Sequence, residues 1–82
     1  MLEGRIRKID LEKRSAVIAV KDGEVLNVQF PPQALIEVME LETAGMEGGE
    51  LEDLQVGYFV EFEVAEQHED GSCTCLSLAS IS

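Results

Sequence analysis

The sequence predicts an all-β fold: a five-stranded Greek-key barrel with one short helix inserted between strands three and four. Three observations carry this expectation. Apolar and polar residues alternate with a period of two in several stretches, most clearly at 15–21 and 55–65. Tight-turn signals separate neighbouring stretches, at Asp22-Gly23 and at Glu69-Asp70-Gly71-Ser72. One segment, directly after Pro31-Pro32, has apolar residues at a spacing of three instead.

The first strand is expected over 5–9. Ile6 and Ile9 are its apolar residues, and the alternation slips between Arg7 and Lys8 as it does at a β-bulge. Residues 10–14 form a charged turn. The second strand, 15–21, places Ala16, Ile18 and Val20 on one face and Ser15, Val17, Ala19 and Lys21 on the other. The third, 25–30, turns Leu26 and Val28 inward and Asn27 and Gln29 outward. Pro31-Pro32 ends it, because proline cannot donate to a ladder and suits the start of a helix. Leu35, Val38 and Leu41 then predict about three helical turns, ending near Ala44-Gly45. A Gly/Glu-rich loop over 46–53 follows. In the fourth strand Val56, Tyr58, Val60, Phe62 and Val64 alternate with Gly57, Phe59, Glu61 and Glu63. The last strand covers 73–81, and its register is ambiguous because Leu76 and Leu78 fall on the opposite face from Ala79 and Ile81. Three strands, a helix and two strands are the elements of an OB-fold. An SH3-like barrel is the competing reading.

Eighty-two residues suit one domain, 1–82, with 31–53 as a helix-and-acidic-loop insertion. A chain of this size buries only about 60% of the surface that its unfolded form exposes, so its core is small. No apolar run approaches the ~20 residues of a membrane helix, and the N-terminus has no apolar signal core. A cytoplasmic location is therefore expected, with Cys73 and Cys75 as free thiols, since two cysteines two apart on a strand would form a strained bridge. The net charge is −11, but it is segregated. Residues 1–21 hold every Lys and Arg against three acids, a net of +3, whereas residues 22–82 hold fourteen acids and no Lys or Arg.

The segments MLEGRIRKID, KRSAVI (13–18), VLNVQF (25–30) and LQVGYFVEFEV (54–64), at similar spacing, resemble bacterial cold-shock proteins. Gly4, Ile6, Ile18, Val20, Val28, Gly57, Val60 and Phe62 match the scaffold, and 31–53 departs from it. The resemblance implies a non-enzymatic, cold-shock-like module that binds single-stranded RNA or DNA by stacking bases above a basic surface. At the matching places Lys8 and Ile9 replace a Trp and a Phe. Ser15, Val17 and Asn27 replace three Phe, Gln29 replaces a His, and Phe30 keeps a ring. Each lost stacking contact is worth ~1–3 kcal/mol. What the resemblance leaves is weak, sequence-tolerant contact through Arg5, Arg7, Lys8, Lys13, Arg14, Val17, Asn27, Gln29 and Phe30. The alternative is a protein-interaction module, including one that pairs with a second copy, built on an apolar patch of Val17, Phe30 and Phe59 ringed by cations.

No other chemistry stands out. His68 with Cys73 and Cys75 lacks the paired C-x₂-C spacing of zinc sites, so no metal or cofactor is expected. Glu61 and Glu63 read as the solvated face of a strand. There is no P-loop, dinucleotide-binding turn or nucleophile elbow, and His68 has no evident nucleophile or orienting acid, so no enzymatic activity is expected.

Overall fold

Among the described residues seven strands form, and five of them close into a barrel. The computed structural model describes residues 1–40 and 45–81. β1 (Leu2–Asp10), β2 (Ser15–Val20) and β3 (Val25–Gln29) form an antiparallel meander. β6 (Phe59–Gln67) pairs with β1, and β7 (Ser72–Ser80) pairs with β6, both antiparallel. The barrel closes where β3 and β7 run parallel, Asn27 opposite Ser72 and Gln29 opposite Thr74. The order β1-β2-β3-β7-β6 with one parallel closure is an OB-like arrangement, and it leaves no edge within the ring.

The inserted helix is corrected. Residues Leu35–Glu40 are a strand, β4, which pairs in parallel with the second half of β7; β5 (Gly45–Gly49) then pairs antiparallel with β4. Part of the expected helix, 41–44, lies outside the described residues. Period two wins in β4 because Ile36 is buried while Leu35 and Met39 are exposed. The prolines do end β3, yet β4 resumes alongside β7 in the same direction, so one long strand is flanked in turn by β3 and β4. Ile36 of β4 joins the core, as do Leu51, in a 3-10 turn over Leu51–Asp53, and Leu54. The backbone N–H of Glu50 donates to Asp53 Oδ2 at 2.8 Å, fastening that turn by a reciprocal cap.

Inward residues of the five barrel strands form the core, with Ile6, Ile18, Val28, Val60, Phe62 and Leu78 at its centre. Arg7 is the extra residue of the expected bulge, since Ile6 faces Ile18 and Lys8 faces Val17. A second bulge resolves the ambiguous last strand. Glu63 faces Ser77 and Val64 faces Cys75, so Leu76 is left out of the ladder. The inward phase therefore switches from Cys73 and Cys75 to Leu78 and Ser80. Both hairpin turns expected from sequence form, with Gly23 and Gly71 in the left-handed region, at φ 93° and 91°, that glycine adopts freely. No helix among the described residues is long and apolar enough to cross a membrane.

Candidate functional site

Period two sends every second side chain of β2 and β3 to the outside of the barrel. Val17, Asn27 and Gln29 share that outer face, with Val17 opposite Asn27. The β1 bulge puts Lys8 beside them, opposite Val17. The β1–β2 turn adds Lys13, whose backbone N–H donates to Asp10 Oδ1 at 3.1 Å. These five expected site residues line one groove of about 310 Å³.

The groove has a wall that sequence reasoning missed. The parallel β3–β7 closure brings the β6–β7 turn over the β3 face, and Asp70 and Ser72 complete the lining. Asp70 Oδ1 accepts both the backbone N–H (3.0 Å) and the hydroxyl (2.7 Å) of Ser72. Those two donors, with the neighbouring His68 adding to them, hold its carboxyl below the usual carboxylate range. The D-G-S pattern signals the turn but not its position, which only the barrel closure sets. Asp10 also lines the groove, so two carboxylates face two lysines there.

The other four expected residues lie elsewhere. Arg5 sits 5.6 Å from the centre of the Phe59 ring and donates to the Gly57 carbonyl at 3.1 Å. Arg7 is exposed on its bulge. Arg14 takes a left-handed φ of 50°, and its Nε donates to the Phe30 carbonyl at 3.0 Å, while the Phe30 N–H donates to the Arg14 carbonyl at 2.8 Å. Phe30 itself is corrected: its ring is 2% exposed and belongs to the core. It can stack no base, and the apolar patch expected of Val17, Phe30 and Phe59 does not form around it.

The thiols and the histidine are also engaged. Cys73 and Cys75 are buried, and their Sγ atoms donate to the Asn27 carbonyl (3.5 Å) and the Ser77 carbonyl (3.1 Å). Burial pushes both thiols up, Cys75 to about 11. His68 Nε2 lies 2.7 Å from Thr74 Oγ1. Among the described residues no three His, Cys, Asp or Glu side chains come together as a metal cluster. The raised Cys75 value has a measurable consequence. Below pH 9 the thiol is neutral in both states and its stabilising contribution is complete. As pH rises from 9 towards 11 the unfolded thiol ionises first, so stability is expected to fall by up to about 2–3 kcal/mol. Urea midpoints at about pH 8 and about pH 10.5 check this; Cys75→Ala should flatten the difference.

No family model and no curated protein matches the chain. Solved structures do. A Cu(II) complex of a tryptophan-to-alanine variant of CusF from Escherichia coli matches with a TM-score of 0.66 at 15% identity, over 99% of this chain and 89% of that one. An Ag(I) complex of CusF matches with a TM-score of 0.62 at 15% identity, over 94% and 89%. The barrel is similar to that of CusF. At this identity the likeness is one of fold. It corrects the cold-shock resemblance: the neighbours share a related barrel but are a different family. The single-strand-binding reading that rested on that resemblance falls with it, as the buried Phe30 ring also requires. Nothing in the comparisons favours the protein-interaction alternative.

Proposed function

We propose that this chain binds a soft monovalent metal ion, copper(I) or silver(I), as cargo on its β4–β5 hairpin, without catalysing a reaction. Two facts support the reading. Its barrel is similar to those of CusF structures described with Cu(II) and Ag(I). The ladder register sets position 39 directly opposite position 46, and both are methionine. This pairing is the observation that carries the reading. Thioethers are soft donors and select soft ions. Met39 is 37% exposed, so an ion can reach it from solvent.

The remaining donors favour a monovalent ion over Cu(II). Cu(II) prefers nitrogen and oxygen ligands in a tetragonal set. The chain has one histidine, already in contact with Thr74, and the two thiols are buried and protonated. Silver(I) titrated into the protein and followed by native mass spectrometry should add one equivalent. Met39→Leu with Met46→Leu conserves volume, at a cost under about 1.5 kcal/mol, and should abolish that equivalent while the barrel stays folded. No silver retained by the unaltered protein would sink the reading. Loss of silver in Cys75→Ala, with retention in the methionine variant, would move the site into the core.

A further inference from the structure

The two ends of the barrel interior differ. Where β1 and β3 finish, the Phe30 ring is buried and its N–H donates to the Arg14 carbonyl of the β1–β2 turn. At the opposite end the inward phase continues through Leu2, opposite Phe62, and through Leu26, opposite Ile18. Leu2 is 40% exposed there, and Leu26 and Val64 are half-buried against the core. A cavity of about 520 Å³ opens beside Leu2, Val20 and Leu26, and one of about 350 Å³ beside Leu2, Phe62 and Val64. The two share Met1 and Leu2 as a wall. We propose that this open mouth binds a small amphipathic cation, an alkyl chain that carries an amine or quaternary ammonium group. None of its residues belongs to β4 or β5, so the proposal is independent of the metal reading.

The floor selects the chain. Small-ligand sites are concave, mostly apolar and of order 300–1,000 Å³, and barrel mouths are one of their usual places. Leu2, Val20, Leu26 and Val64 are aliphatic and offer no side-chain hydrogen bond. A polar ring would lose its water there without replacement, whereas a methylene chain gains by leaving water.

The rim selects the head group. Glu3, Asp22, Glu24 and Glu63 place four carboxylates around the mouth, against Lys21 and the amino group of Met1. The balance is negative, and the net charge of −11 adds to it. A cation is therefore drawn to the mouth, and an anion on the same chain is repelled. Asp22, Glu24 and Glu63 are exposed. The head group can thus pair with them while still hydrated, and no charge has to be buried.

Decyltrimethylammonium, kept below its micelle concentration, is the probe, titrated into the full chain at low salt and followed by heteronuclear NMR. The Leu2, Val20, Leu26 and Val64 signals should move saturably, while those of Lys8 and Lys13 stay in place. Each methylene taken out of water changes affinity about fourfold, so the octyl homologue should bind on the order of tenfold more weakly. Decanoate should bind at least about tenfold more weakly than the decyl cation. Glu24→Lys with Glu63→Lys alters two exposed side chains and should reverse that order at an unchanged unfolding midpoint. Four results would overturn the inference. They are no saturable movement, decanoate bound as tightly as the cation by the unaltered chain, and an affinity indifferent to chain length, which is ion pairing at the surface only. The fourth is self-association in light scattering that Leu2→Ser abolishes, which would seat a second copy in the mouth instead.

Discussion

Phe30→Ala is expected to destabilise the protein by about 3–5 kcal/mol, the usual cost of emptying a buried aromatic site. A domain of this length has total stability on the order of 4–12 kcal/mol, at 0.05–0.15 kcal/mol per residue. The variant should therefore be largely unfolded in mild urea or at modest temperature. The prediction follows from position rather than residue type. Phe30 ends the β2–β3 pair, its ring is 2% exposed, and both its backbone groups bond to Arg14. Phe30→Leu keeps most of the volume and should cost far less. Urea denaturation followed by circular dichroism measures both. A loss below about 1 kcal/mol for the alanine variant would mean that the ring lies at the surface, as the stacking role required.

That residue shows what could and could not be read from the chain. Alternation located the second, third and fourth of the expected strands and left the register of the last one open, and the slip at Arg7 located a bulge, because both are local consequences of side-chain period. Phe30 falls in phase with the inward Leu26 and Val28, so period two already points it into the core; the cold-shock alignment, not the periodicity, turned it outward. The segment after the prolines failed for a different reason. Leu35, Val38 and Leu41 satisfy a helical spacing, and Leu, Glu and Met are good helix formers. Ile36 and Val38 satisfy a strand spacing equally well. Pairing with β7 decides between the two, and that partner lies some forty residues away in sequence. Tertiary pairing of this kind routinely overrides propensity.

The cold-shock resemblance failed in an instructive way. Its matches were scaffold positions: glycine at a crowded crossing and apolar residues facing inward. Any small barrel of this topology demands such residues at such spacing, so they report topology rather than ancestry or ligand. The positions that would carry the family's chemistry had already changed, at Lys8, Ser15, Val17, Asn27 and Gln29. Of the candidate site, the half on β1 to β3 was legible because hairpin neighbours are set locally. Asp70 and Ser72 were not, because the parallel closure places them.

Gly4→Ala is expected to have an effect close to that of the core truncation, through crowding rather than a cavity. Gly4 lies in the middle of the ring, paired with Val20 on one side and Val60 on the other. A Cβ there would stand 2.5 Å from the Ala19 carbonyl oxygen and 2.8 Å from Ile18 Cγ2. The first of these is backbone in a paired strand, so rotating a side chain cannot relieve it. Either β1 moves away from β2, lengthening their ladder bonds, or Ile18 leaves its packed position. Overpacking typically costs about 1–3 kcal/mol, and the top of that range applies where backbone must yield. For a domain of 60–100 residues this corresponds to a fall in Tm of roughly 10–20 °C. Gly48→Ala is the matched control, since a Cβ at Gly48 meets nothing within 4 Å. If both variants melt within a few degrees of the parent, β1 and β2 do not approach as closely as the barrel requires. If only Gly4→Ala falls, the glycine is there for that close approach, which ties the opening strand to both of its neighbours.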